Sequence, residues 1–195
     1  MQRSVLTPHP VTPSSAVNRI EVGVRLTGMT LELRYTVEGD VAHLLIPAQS
    51  SPRRADKLWQ HTCFEAFVAD DPAAGYYELN FSPSTEWAIY RFNGYREGMT
   101  SIEAHQPPGI RVHRGPRRLH LEAGVDLAQL PGLRGGAALR LALCAVIEES
   151  QQRLSYWALA HPAAKPDFHH AGGFVLAPAR GASDSSRLAS GREDA

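Results

Sequence analysis

The chain reads as all-β: an antiparallel two-sheet β-sandwich, jelly-roll-like, of about ten strands. Two observations predict this. Runs of apolar and polar residues alternating with period two recur along the chain, and turn residues separate them, in a sequence with 14 prolines and 16 glycines. No amphipathic helical pattern of convincing length interrupts them. At 195 residues, 43% apolar and 21% charged, the pattern fits one globular core.

Residues 1–17 carry three prolines and several Ser/Thr residues without periodicity, and read as a flexible N-terminal arm. The domain is expected over residues 18–178. Ile20, Val22, Val24 and Leu26 share one face of a first strand, and Leu31, Leu33, Tyr35 and Val37 one face of a second. Gly39 and Asp40 predict a hairpin turn into a strand at residues 41–46, followed by a polar loop to residue 57. Residues 58–92 read as three consecutive strands, after which Asn93-Gly94 and Glu97-Gly98 mark turns. Leu119, Leu121 and Ala123 mark a further strand. Residues 128–136 have room for one helical turn at most. Residues 138–150 are apolar on both faces and predict a central strand. Residues 153–162 follow as a strand, 165–173 as a loop and 174–178 as a short closing strand. Residues 179–195 are small, polar and charged, with too little apolar surface to offset ordering entropy, and read as a disordered tail.

Acids and bases balance at twenty each, so nothing points to a nucleic acid or an anionic membrane as partner. Arg114, Arg117 and Arg118 flank Gly115-Pro116 and read as a solvated turn. No signal-peptide pattern and no segment of membrane-spanning length is visible, which predicts a cytoplasmic protein. Cys63 and Cys144 both fall in apolar strand patterns. They read as reduced core residues or as a bridge between facing sheets, with the first favoured by the lack of an export signal.

Function is sought in residues 58–92, where polar and aromatic side chains occupy strands that belong at the centre of a sheet. His61, Cys63, Glu65 and Phe67 share a face, so Glu65 must find hydrogen-bond donors or hold its proton. Tyr77, Leu79 and Phe81 face the core, which turns Glu78 and Asn80 the other way. Trp87, Ile89 and Arg91 share a face on the next strand. If the three strands form a meander, one face brings together Glu65, Asn80, Arg91 and an indole. That is the chemistry of sugar recognition: flat rings over C–H faces, with charged and amide groups on vicinal hydroxyls. Trp157, His161, Asp167 and His169 follow at the end of the last long strand. The candidate ligand-binding residues are thus Trp59, His61, Glu65, Asn80, Trp87, Arg91, Trp157, His161, Asp167 and His169. The histidine spacing H-x7-H-H matches no established zinc pattern, so no metal ligand is assigned. No nucleophile elbow, phosphate-binding loop or dinucleotide fingerprint occurs, and no catalytic residue is assigned. An enzyme using Glu65 or His61 as its acid/base residue is the enzymatic alternative. Haem or a metal ion is the cofactor alternative, with Met29 and Met99 as the internal methionines; otherwise no cofactor is expected.

The motifs LWQHTCFEAFV, YYELNFSPSTEWAIYRFNGYREGM, AVIEE, LSYWALAHP and KPDFHHAGGF together resemble the bacterial DOMON-like domain proteins, which are related to family 9 carbohydrate-binding modules. The resemblance spans residues 18–178. It implies an antiparallel β-sandwich and a noncatalytic, ligand-binding role, with sugars or haem as the ligands of the wider superfamily. Family 9 modules hold sugar between two tryptophans beside an acidic residue. By that resemblance Trp59 and Glu65 correspond to the first tryptophan and the acid, and Trp157 is the second platform. Such modules usually belong to secreted enzymes, a context from which this chain departs.

Overall fold

The computed structural model describes residues 1–71, 75–134 and 139–181. Among them lie twelve strands. The first six are β1 (Gln2–Pro8), β2 (Val17–Thr27), β3 (Thr30–Gly39), β4 (Cys63–Ala69), β5 (Tyr76–Phe81) and β6 (Trp87–Phe92). The others are β7 (Thr100–Ser101), β8 (Gly109–Arg114), β9 (Arg118–Asp126), β10 (Arg140–Glu149), β11 (Arg153–Ala158) and β12 (Arg180–Gly181). The helical segments between them are 3-10 turns of three residues, and no helix is long and apolar enough to cross a membrane among the described residues.

One layer runs β7-β6-β5-β4-β10-β11 and the other β1-β2-β3-β9-β8, with every neighbour in these two orders antiparallel. Strand β1 stitches the layers together. Residues Gln2 to Leu6 pair with β2, whereas Thr7 and Pro8 pair with Ala158 and Trp157 of β11. Strands that switch sheets in this way make the corners of sandwiches. The N-terminal segment is therefore not a flexible arm. Its backbone is held by ladder hydrogen bonds while Leu6 is its one fully buried apolar side chain, so side-chain periodicity could not reveal it.

Two further expectations change. Gly39 and Asp40 do not start a hairpin: β3 pairs with β2 and β9, and the chain enters a 3-10 turn at Val41–His43, where the Asp40 carboxylate accepts from the Ala42 amide at 3.2 Å. The closing strand at residues 174–178 is reduced to a bridge between Leu141 and Leu176. The domain runs past residue 178, because β12 pairs in parallel with Leu26 and Thr27 of β2. The disorder expected for the tail, from residue 182 on, lies outside the described residues.

The core lies between the two layers. Ile20, Val22 and Val24 of β2 and Leu31, Leu33, Tyr35 and Val37 of β3 meet Phe64, Ala66 and Val68 of β4 and Leu141, Leu143, Ala145 and Ile147 of β10. Period-two alternation delivers all of these side chains to the inner faces. The Tyr35 hydroxyl crosses the core to donate to the Glu65 carbonyl at 2.8 Å, which satisfies a buried phenol that would otherwise cost stability. Strand β10, flanked by β4 and β11, is buried on both faces as its composition predicts. A second apolar cluster covers its other side: Cys63, Phe67, Tyr76, Tyr90, Phe92, Cys144 and Phe174 on the outer face of the β4-containing sheet. Both cysteines are free and buried.

Candidate functional site

The outer face of the β4-containing sheet carries the polar residues that the alternation turns away from the core. Antiparallel register sets Glu65 opposite Asn80 and Cys144, and Glu78 opposite Phe67 and Tyr90. Glu65 and Glu78 are consequently diagonal cross-strand neighbours, a relation that places Cα atoms about 7–8 Å apart. Three connecting segments fold over this face: the stretch before β4, the β6–β7 turn, and the chain after β11.

Each segment delivers side chains for a local reason. Before β4, Lys57 takes a left-handed conformation (φ 63°) that starts the 3-10 turn Leu58–Gln60, and Leu58 buries while Trp59 stays half-buried edge-on to Tyr90 at 5.7 Å. In the β6–β7 turn, Arg96 and Gly98 both have positive φ, and a Cβ on Gly98 would lie 2.5 Å from the Asn93 side-chain nitrogen, which together favour glycine there. The turn projects Arg96 and Met99 over the sheet. After β11, Asp167 accepts from the backbone amide of His169 at 3.2 Å, from Arg96 at 2.9 Å and from the Tyr95 hydroxyl at 2.7 Å. These bonds lock Phe168 and His169 in place.

Between the segments and the sheet lies a cavity of about 450 Å³. Its walls are Trp59, Phe92, Tyr156 and Phe168 with Met99, Val146 and Pro166; its polar groups are Glu65, Glu78, Arg96 and His169. That volume and the apolar lining with few polar groups are those of a small-molecule site.

The electrostatics centre on Glu65, only 3% exposed, whose Oε1 is buried and has no hydrogen-bond partner among the described residues. Burial pushes its pKa well above the ordinary carboxylate range, and the charge of Glu78 adds to the shift. Glu78, 5% exposed, is also raised by burial, opposed by the hydrogen bond from Asn80 (2.7 Å) and by the charge of Arg96. His169 is pushed down to about 4, first by burial and then by Arg96, with Asp167 acting the other way. The network also assigns its tautomer. The Arg96 amide donates to the Tyr76 oxygen at 3.1 Å, leaving the Tyr76 hydrogen for His169 Nδ1 at 2.8 Å. The ring proton then sits on Nε2, which is 3.6 Å from Glu78 Oε2.

Of the residues expected to bind ligand, Trp59, Glu65 and His169 line the cavity. Asn80 faces the same way but is fully buried, and acts on the cavity by orienting Glu78. Asp167 positions Arg96 and His169 rather than facing the space itself. The remaining expectations are corrected. Trp157 and Trp87 point inward to the core between the sheets, each 3% exposed, because both sit in phase with inner-face residues. Arg91 shares that inner face at its rim, donates to the Phe92 carbonyl at 2.6 Å and stacks over Tyr77 at 5.1 Å. His61 is exposed and pairs with Glu148 at 2.8 Å, outside the cavity that Glu65 lines. His161 contacts the Thr7 carbonyl at 2.8 Å and lies edge-on to His9, outside the cavity.

Phe92, Arg96, Met99, Tyr156 and Phe168 were not foreseen. Parity along β5 and β6 places Glu78 and Phe92 correctly, whereas Arg96 and Phe168 sit on loops, where no period applies. Among the described residues no group of three His, Cys, Asp or Glu side chains is placed to hold a metal ion. Met99 and His169 share the cavity, but His169 spends Nδ1 on Tyr76 and turns Nε2 to Glu78, an arrangement that presents no free nitrogen to a haem iron.

No protein-family model and no curated protein sequence matches the chain. Solved structures do resemble it in fold. A candidate carbohydrate-binding protein from Bacteroides uniformis superposes with a TM-score of 0.67 at 14% identity, over 89% of this chain and 84% of that one. A family 9 carbohydrate-binding module from Caldicellulosiruptor kristjanssonii in complex with cellotriose gives 0.53 at 13% identity, over 97% of this chain and 88% of that one. The all-β architecture is thus shared with carbohydrate-binding modules, and the resemblance to family 9 holds at the level of fold.

Proposed function

We propose that the chain is a noncatalytic binding module for a small saccharide, seated in the outer-face cavity beneath Trp59 and Phe168. The observation that carries this reading is the unpartnered, buried Oε1 of Glu65 at an aromatic-walled cavity of about 450 Å³. A buried polar atom without a partner costs about 1–3 kcal/mol, and a hydroxyl-rich ligand restores the missing bond. Aromatic walls suit the C–H faces of a sugar ring, while Glu78 and Arg96 offer an acceptor and a donor to further hydroxyls. The fold shared with one candidate carbohydrate-binding protein and one cellotriose-bound module supports the same ligand class.

Titrating a panel of mono- and disaccharides while following tryptophan fluorescence tests the reading. At least one sugar is expected to shift the emission, and Trp59→Ala to weaken its binding at least tenfold. A flat response to every sugar would sink the proposal.

A further inference from the structure

Resting on the saccharide reading, we infer that the cavity selects a sugar bearing a primary amine, with the ammonium group received by Glu65 and Glu78 at the cavity floor.

Charge and donor count favour an ammonium group over a hydroxyl at the cavity floor. Two carboxyl groups, 3% and 5% exposed, lie diagonally across β4 and β5 and face one space. Their surroundings supply almost no positive charge. The Arg96 guanidinium is engaged with Asp167 at 2.9 Å, and it offsets Glu78 but not Glu65. His169 is neutral near neutral pH, held so by burial among Phe67, Tyr76 and Phe92. From the other elements around Glu65, Tyr35, Tyr156, Cys63 and Cys144 are all kept in their neutral, protonated forms by burial. Among the described residues Glu65 is left with Glu78 as its only strong charged neighbour, so ionising both sets two like charges against each other.

A neutral hydroxyl donates one hydrogen and leaves that repulsion in place. An ammonium donates three and cancels the charge, which makes it the better complement to paired buried carboxyls. The walls agree with this choice: Trp59, Tyr156 and Phe168 offer ring faces to a cation as well as to C–H groups. Binding an ammonium favours the ionised form of Glu65 and so opposes the upward shift that burial imposes.

Calorimetric titration in phosphate at pH 6.5 compares glucosamine, galactosamine and mannosamine with glucose, galactose and mannose. At least one amino sugar is expected to bind tenfold or more tightly than its parent. In Glu65→Gln the preference for the amino sugar over its parent should fall below threefold. Amino and parent sugars of equal affinity, or an undiminished preference in Glu65→Gln, would overturn the inference and leave the saccharide reading standing. Silence from all six sugars would overturn both.

Discussion

On the outer face of the β2-containing sheet, Glu21 sits between Arg3 and Arg19, Arg34 meets Glu122, and Arg118 meets Glu38, all within reach of solvent. On the outer face of the β4-containing sheet, Glu65 and Glu78 are buried together under Trp59, Phe168 and His169, and one carboxyl oxygen has no partner. Both faces arise from the same alternation on strands that share one core. Exposed pairs gain little because water already solvates each charge, whereas a buried carboxyl must be matched or must keep its proton. The first face is a solvated ladder; the second keeps a buried carboxyl oxygen without a hydrogen-bond partner among the described residues.

Breaking the core that both faces share gives the largest effect. Trp157→Ala removes an indole between the sheets and is expected to cost about 3–5 kcal/mol in urea denaturation, with ligand affinity unchanged in the protein that remains folded. A comparable loss of binding would restore Trp157 as a ligand platform.

The buried histidine comes next. His169 titrates near 4 when folded against its ordinary 6.5, so between those values the unfolded chain takes up a proton that the native state refuses. Native stability from this residue is full above 6.5 and falls as pH drops toward 4, by on the order of 2–3 kcal/mol. Replacing it as His169→Asn should remove that component, read as the difference between the two stability profiles. Parallel profiles would place His169 in water.

Glu65 has the opposite sign. Its folded pKa is raised, so its contribution is most favourable below its ordinary 4.5 and declines as pH rises above that toward the folded value. Glu65→Gln is expected to stabilise the free protein at pH 7 by roughly 1–2 kcal/mol while weakening ligand binding. A destabilised variant would mean that the carboxylate is fully satisfied in the native state. The smallest effect belongs to the other face: Arg34→Ala should change stability by about 0.5 kcal/mol or less and leave binding untouched.

Much of this arrangement was legible from periodicity. Ile20 to Leu26, Leu31 to Val37 and the β10 run have apolar residues in phase with the inner faces, and parity along β4 and β5 turns Glu65, Glu78 and Asn80 outward together. Parity also separates Arg91 and Trp87 from Glu65 once register is known, but register depends on pairing partners that a single strand does not encode. Strand β1 was missed because its ordering comes from backbone pairing with β2 and β11 rather than from apolar alternation. Arg96, Phe168 and the exact placement of His169 depend on loops fixed by Asp167 and Tyr76, contacts between segments distant in the chain.

The three tryptophans offer the most direct test, since Trp59 lines the cavity while Trp87 and Trp157 lie in the core. In a proton–nitrogen correlation spectrum of the labelled protein, their indole N–H signals are followed during titration with the tightest-binding sugar. The Trp59 signal is expected to move with saturation while those of Trp87 and Trp157 hold nearly still. Movement centred on Trp157 or Trp87, with Trp59 unchanged, would contradict the outer-face cavity as the ligand site.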